Sequence, residues 1–190
     1  MVIEEILVID IETSGLSHEY SIVEIGICKL NLEKGTINPF FNLVCKEEAD
    51  KYLDQYAWVF QNSDLTYEEV KNAPYLSKFQ NIIQEIFNLG YECTAFNQSF
   101  DFGFLEDRGF KIPHKFWDAM LVLKEIMKIP HSKYGYKFPK VQEAYDYLFG
   151  NEVFLEGEDK YKEKHRALDD AIHESMIFYG TYNLLKKKVI

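Results

Sequence analysis

Two carboxylates stand two residues apart directly after an apolar run near the start of the chain. Ile6 to Ile9 form that run, and Asp10 and Glu12 follow it. Four branched aliphatic residues predict a buried strand, and because side chains alternate along a strand, both acids point the same way. Converging carboxylates repel each other unless a cation lies between them, and hard divalent ions such as Mg²⁺ or Mn²⁺ prefer carboxylate oxygen. The alternative is that both acids face water at the end of the strand.

A second acidic position follows a second apolar segment. The residues YECTAF at 91–96 predict a short buried strand, and a helix that begins near Gln98 or Ser99 places Asp101 in its first turn. An anion is favoured there by the helix dipole. Asn97 lies at the junction between strand and helix. In an open α/β sheet the site lies beyond the carboxyl ends of the strands, so Asp101 is expected to meet the first two acids there.

The third candidate segment is KEKHRALDDAIHE at 162–174. In one regular helix His165 and Asp170 would be about 140° apart, so they cannot share a face. We therefore expect His165 in the loop before the helix and an aspartate in an early turn. A loop histidine beside a metal-activated water suits a general base. The spacing does not choose between Asp169 and Asp170, and an ordinary first turn beside a surface histidine is the alternative.

The elements that must position these residues form an α/β pattern. Strands are predicted at 21–31 and 35–45, where the carboxylate of Glu24 is either buried against a neighbour or close to the site. Helices are predicted at 66–89 with a break or restart at Pro74, and at 119–127, 140–149 and 167–185. Residues 46–66 read as a surface loop. The order predicts a mixed sheet in a single domain over 1–190.

Composition limits the possible partners. The net charge of −10 argues against a broad basic surface for long duplexes, but it is compatible with an enzyme that grips the end of a strand through metal ions. We expect no signal peptide and no membrane span, and a cytoplasmic location. Cys28, Cys45 and Cys93 are expected to be reduced core thiols.

One basic segment interleaves cations with aromatic rings. HSKYGYKFPK at 131–140 carries Lys133, Tyr134, Tyr136 and Lys137. Rings can stack on bases and ammonium groups can neutralise phosphates, so the segment is a candidate path for a single strand. The alternative is an ordinary loop packed by its tyrosines.

Three motifs taken together resemble a known family. D-I-E-T at 10–13, N-x-x-x-D-x-x-F-L at 97–105 and H-x-A-x-x-D at 165–170 are similar, in order and spacing, to the signature motifs of the DEDDh exonucleases of the RNase H-like superfamily. VEIG at 23–26 and L-T-x-E-x-V-x-x-A-P at 65–74 resemble the segments between them. One departure is Phe96, because members often carry histidine immediately before the asparagine.

The resemblance implies a fold, an activity and roles for residues. It implies an RNase H-like mixed sheet flanked by helices. It also implies a 3′–5′ exonuclease that releases nucleoside 5′-monophosphates from the 3′ end of DNA or RNA, and the expected substrate is a single strand. Two Mg²⁺ or Mn²⁺ ions per site would activate water and stabilise the leaving oxygen. By the resemblance the metal ligands would be Asp10, Glu12, Asp101 and Asp170, with His165 as the general base. Thr13 and Leu16 would receive the terminal nucleotide, and Asn97 would contact substrate.

Two rival functions come from other classes. D-I-E-T also follows a strand in the manner of haloacid dehalogenase phosphatases, although Glu12 replaces their second aspartate and the other two motifs would stay unexplained. A catalytically silent nuclease fold that only binds nucleic acid is the second rival. The intact set of five residues speaks against it.

Overall fold

A four-stranded mixed sheet forms the centre of the part of the chain that the computed structural model describes, residues 3–48, 51–131, 133, 135–150 and 164–189. The strands are β1 (Glu5–Thr13), β2 (Ile22–Asn31), β3 (Ile37–Val44) and β4 (Glu92–Thr94). The helices are α1 (Trp58–Asn62), α2 (Tyr67–Asn72), α3 (Gln80–Phe87), α4 (Gln98–Asp107), α5 (Ala119–Met127), α6 (Val141–Phe149) and α7 (Ala167–Val189), with a 3₁₀ turn at Leu76–Phe79. The predicted α/β class and mixed sheet are confirmed.

β1 lies inside the sheet, and its two faces are covered by different helices. The strand order is β3-β2-β1-β4, with β1 antiparallel to β2 and parallel to β4. Leu7 and Ile9 pack in a core with residues of α3 and α4. Ile6 and Val8 pack on the opposite face with residues of α5, α6 and α7. Because both faces are buried, the strand is continuously apolar, and alternation directs Asp10 and Glu12 to the α7 side.

Gly26 allows α7 to begin directly against the sheet. In the register of β1 and β2, Gly26 is the partner of Asp10. A Cβ atom on Gly26 would lie 2.2 Å from the carbonyl carbon of Ala167, the first residue of α7. Only glycine permits such a close approach of two backbones. The absence of a side chain at Gly26 therefore brings the start of α7 over the end of β1.

The segment at 46–66 differs from its prediction as a surface loop. It contains the short helix α1, and Ala57, Val59 and Leu65 are buried in a small core with Val23 and Val70. These scattered apolar residues have no helical or strand period, so the sequence pattern did not show that they cover β2. The expected interruption near Pro74 is present, between α2 and the 3₁₀ turn.

The described cysteines Cys28, Cys45 and Cys93 are all free and buried, as expected. Burial raises the pKa of the Cys28 and Cys93 thiols to about 12. Among the helices described, none combines the length and the apolar character needed to cross a bilayer.

Candidate active site

Asp101 is tied to the end of β1 by a backbone hydrogen bond. It lies in the first turn of α4, is 4% exposed, and its Oδ1 accepts a hydrogen bond from the N–H of Ile11 at 3.3 Å. β4 stops at Thr94, the partner of Val8, so the N–H of Ile11 lies beyond the reach of that strand. Asp101 supplies an acceptor for this N–H. The hydrogen bond holds its carboxylate beside Ile11, the residue between Asp10 and Glu12 in β1.

Asp170 and His165 meet beside Glu12. His165 lies before the first residue of α7, in the loop where it was expected, and its Nδ1 is 3.9 Å from Oδ2 of Asp170. Ligand atoms of Glu12, His165 and Asp170 all lie within 4.8 Å of one another. Asp170 is 5% exposed. Asp169 points elsewhere and forms an ion pair with Lys164 at 3.1 Å, so the structure brings Asp170 rather than Asp169 to this place.

A partly buried ion pair between Arg166 and Glu24 fixes the backbone that carries His165. Nε and Nη2 of Arg166 each donate to one oxygen of Glu24 at 2.9 Å, and the N–H of Ala167 donates to the same carboxylate at 3.1 Å. Glu24 is fully buried and is the partner of Glu12 on β1. Planar, two-pronged pairing of this kind fixes orientation as well as distance. Glu24 therefore holds the loop against β2, a role that the sequence left open between burial and proximity to the site.

Burial and neighbouring negative charges both oppose the ionisation of Asp10. Shielding from water raises the pKa of Asp10 well above its usual value, and the charges of Glu174, Asp101, Glu12 and Asp170 raise it further. Burial also raises the pKa of Asp101, against the opposing effect of the hydrogen bond from Ile11. Without a counter-charge, such a group of acids resists ionisation.

The donor set fits a divalent metal ion. Oδ2 of Asp10 is buried and has no hydrogen-bond partner within the described ranges. A buried carboxylate oxygen is costly unless it is paired or coordinates a metal. With Glu12 and Asp170 alongside, Asp10 offers the oxygen-rich environment that Mg²⁺ and Mn²⁺ prefer.

The residues predicted to contact a terminal nucleotide lie where β1 ends and where α4 begins. The hydroxyl of Thr13 donates to the carbonyl of Gly15 at 2.7 Å, which braces the turn after β1. Leu16 in that turn is 86% exposed, an unusual position for a large apolar side chain. Asn97 is the N-cap residue of α4, and its Oδ1 accepts from the hydroxyl of Ser99 at 2.7 Å.

Among the described residues around the basic aromatic segment, Pro130 and Tyr136 form an isolated antiparallel bridge. Nζ of Lys137 lies 2.5 Å from Glu143 of α6, so its charge is already paired. Tyr136 is 39% exposed, and the backbone N–H of Lys133 donates to His131. Tyr134 lies outside the described residues. Described residues of this segment contact both α5, through Lys124 over the ring of Phe138, and α6, through Lys137 and Glu143. The part of this segment in substrate binding stays a prediction.

Two residues of the site were missed by reasoning from the sequence. The ring of Trp58 in α1 packs edge-on against His165, with centroids 4.5 Å apart, although Trp58 itself is 58% exposed. Nothing in the sequence linked these two segments. Glu174 is a fifth acid close to Asp10. Its spacing of four from Asp170 on a helix was the signal that could have identified it.

Comparisons with known proteins identify a family and similar folds for this chain. The profile of the RNase T exonuclease family matches residues 7–178. The nuclease domain of 3'hExo, a DEDDh family member bound to rAMP, is 17% identical with a TM-score of 0.69, covering 97% of this chain and 92% of that one. Exonuclease X in complex with 5' overhanging duplex DNA is 22% identical with a TM-score of 0.62, covering 94% and 92%. E. coli Exonuclease I in complex with a dT13 oligonucleotide is 15% identical with a TM-score of 0.66, covering 93% of this chain and 40% of that one.

The fold is that of the RNase H-like nucleases, as the sequence predicted. The chain belongs to the RNase T exonuclease family, since the family profile spans most of its length. The resemblance to the DEDDh exonucleases is confirmed at the level of family and fold. No curated protein sequence matches the chain. Membership of this family leaves the haloacid dehalogenase alternative without support.

Replacing Asp10 by asparagine should stabilise the metal-free protein at neutral pH. The pKa of Asp10 is raised in the folded state, so the associated stability is fully present below the unfolded pKa and is lost as pH rises through the folded pKa. We expect Asp10→Asn to match the wild type near pH 4 and to exceed its melting temperature at pH 8 by roughly 2–4 °C, about 1 kcal/mol for a chain of this size. Thermal denaturation in chelator measures this.

Adding Mn²⁺ should reverse the order, because only the wild type has the full ligand set. Asp64→Asn is the matched control, since Asp64 is exposed. A metal-free Asp10→Asn protein that is less stable than wild type at pH 8 would show that Asp10 has a stabilising partner instead of repelling neighbours.

Proposed function

We propose that this protein is a divalent-metal-dependent 3′–5′ exonuclease that hydrolyses phosphodiester bonds of DNA or RNA and releases nucleoside 5′-monophosphates. The observation that carries the proposal is the meeting of Asp10, Glu12, Asp101 and Asp170, from β1, α4 and α7, at one end of the sheet. The three compared structures were solved with rAMP, duplex DNA or an oligonucleotide. Their ligands support nucleic acid as the substrate here.

Two ions, Mg²⁺ or Mn²⁺, are proposed for the site. Asp10, Glu12 and Asp170 would hold one, and Asp10 with Asp101 the other. When bound, such ions supply Lewis-acid activation of water and stabilise the charge on the phosphoryl and leaving oxygens. The protein's own contribution is to hold the carboxylates in place against their mutual repulsion.

His165 is the proposed general base. Its Nδ1 faces Asp170, which leaves Nε2 as the nitrogen that accepts the proton of the attacking water. The side chain is 27% exposed and its ring packs on Trp58, so it is both oriented and accessible. A partly exposed imidazole can accept a proton and return it to solvent within each turnover.

The terminal nucleotide is proposed to lie at the rim formed by Thr13, Leu16 and Asn97. The exposed Leu16 offers an apolar face to a base or a sugar. Further along the strand, the basic aromatic segment at 131–140 is proposed to contact single-stranded substrate through Lys133, Tyr134, Tyr136 and Lys137. The proposed location is the cytoplasm, where free cysteines such as the three buried ones persist.

The direction of digestion is tested with matched single-stranded DNA and RNA oligonucleotides in Mn²⁺, labelled at one end or the other. We expect a 3′-labelled strand to release a labelled mononucleotide at once, and a 5′-labelled strand to shorten stepwise. The released product should co-migrate with a 5′-monophosphate. Internal fragments or release from the 5′ end would contradict the proposal. Binding without hydrolysis would instead favour the silent binding module.

His165→Ala should lower kcat by roughly 10² to 10⁴-fold, the usual share of general acid–base catalysis. Its Mn²⁺ affinity, measured by calorimetry, should stay close to that of the wild type. His114→Ala, which changes an exposed histidine beside β4, is the control. An equally large loss of metal affinity would mean that His165 is a ligand, which its distance from Glu12 and Asp170 also permits.

A further inference from the structure

Glu174 is a buried acid that the proposed mechanism does not use. It lies in α7, one helical turn after Asp170, and is 4% exposed. Ionisable side chains are rarely buried to this extent unless a partner or a function retains them. The position of Glu174 on the same face as Asp170 directs it towards the end of β1.

Backbone geometry places Glu174 beside Asp10. Its Oε2 accepts a hydrogen bond from the N–H of Phe96 at 3.2 Å. β4 and β1 run parallel with Thr94 opposite Val8, so Phe96, two residues after Thr94, and Asp10, two residues after Val8, lie at the same edge of the sheet. The carboxylate that accepts from Phe96 is thus held at the edge of the sheet that carries Asp10.

Glu174 adds a further negative charge to the acids at the end of β1. Asp170 and Glu174 are both buried and lie one helical turn apart in α7, so the charge of Glu174 is close to these acids and is shielded from water. An anion placed there opposes the metal-free state and favours a bound cation.

We propose that Glu174 is a positioning residue of the metal centre, a fifth carboxylate that acts through Asp10 to strengthen the binding of divalent cations. The inference rests on the proposed function in that it takes Asp10 as a metal ligand. It adds a residue that lies outside the three motifs, one helical turn after Asp170 in α7. The charge of this residue raises the affinity of the site for divalent cations. Glu174 remains hydrogen-bonded to Phe96 in this role and need not touch the ion.

A purely structural role is the competing explanation. The N–H of Phe96 follows the end of β4 and needs an acceptor, which Glu174 supplies. A neutral acceptor would satisfy that need equally well. The two roles predict different results when the charge alone is removed. Cation affinity falls if Glu174 acts as a fifth carboxylate, and it is unchanged if Glu174 is only a structural acceptor.

Glu174→Gln is the variant that separates them, since it keeps an acceptor oxygen and removes the charge. Calorimetry with Mn²⁺ and with Mg²⁺ on the full chain, stripped of metal, should show a dissociation constant raised roughly 10-fold or more, within the range for residues that support metal ligands. The melting temperature of the metal-free variant at pH 8 should rise, because a repulsive neighbour of Asp10 is gone.

Asp169→Asn is the matched control, because it removes one charge from the same helix at a residue paired with Lys164. It should leave the metal affinity close to that of the wild type. Glu174→Asp keeps the charge and should recover most of the affinity lost in the glutamine variant, which gives a second reading if that variant folds poorly.

Unchanged metal affinity in Glu174→Gln, or a lower metal-free melting temperature without a change in affinity, would overturn the proposal and leave Glu174 as an anchor for Phe96. Failure of Glu174→Asp to recover affinity would overturn it as well. Because the readout is metal binding and not hydrolysis, a wild type that binds Mn²⁺ but cleaves nothing would contradict the proposed function alone.

Discussion

Repulsion among carboxylates is the constraint that the rest of this structure must overcome. Four other acids, Asp101, Glu12, Asp170 and Glu174, disfavour the negative charge of Asp10 at the end of β1, where shielding from water already makes that charge costly. No single element carries them all, so the scaffold must bring β1, α4 and α7 together and hold them there. The energy for this comes from the two apolar cores on either side of the sheet.

The precision of the site comes from features near the start of α7. Gly26 lets the helix backbone touch β2, and the pairing of Glu24 with Arg166 fixes the preceding loop. Between these contacts His165 adopts a left-handed backbone conformation with φ of 55°. A residue other than glycine holds that conformation only when its surroundings require it, and such positions are frequent at functional sites. The ion pair of Glu24 with Arg166 and the ring of Trp58 supply those surroundings.

The sequence was sufficient to predict elements and residue positions where local pattern and chemistry agreed. The strand before Asp10, the loop position of His165 and the bounds of α5 follow from alternation, helix geometry and apolar spacing. The contact of Trp58 with His165 could not be found in this way, because it joins segments more than 100 residues apart with no shared period. The burial of Ala57, Val59 and Leu65 in a small core could not be predicted for the same reason. Glu174 could have been found from helix geometry, since it lies one turn after Asp170, but it lies outside the three motifs.

The most direct test of the central claim is anomalous diffraction from crystals of the wild-type protein grown with Mn²⁺. The account predicts anomalous density bounded by Asp10, Glu12 and Asp170, with a second peak towards Asp101. Ordered Mn²⁺ bound elsewhere, with Oδ2 of Asp10 hydrogen-bonded to protein or water instead, would contradict it.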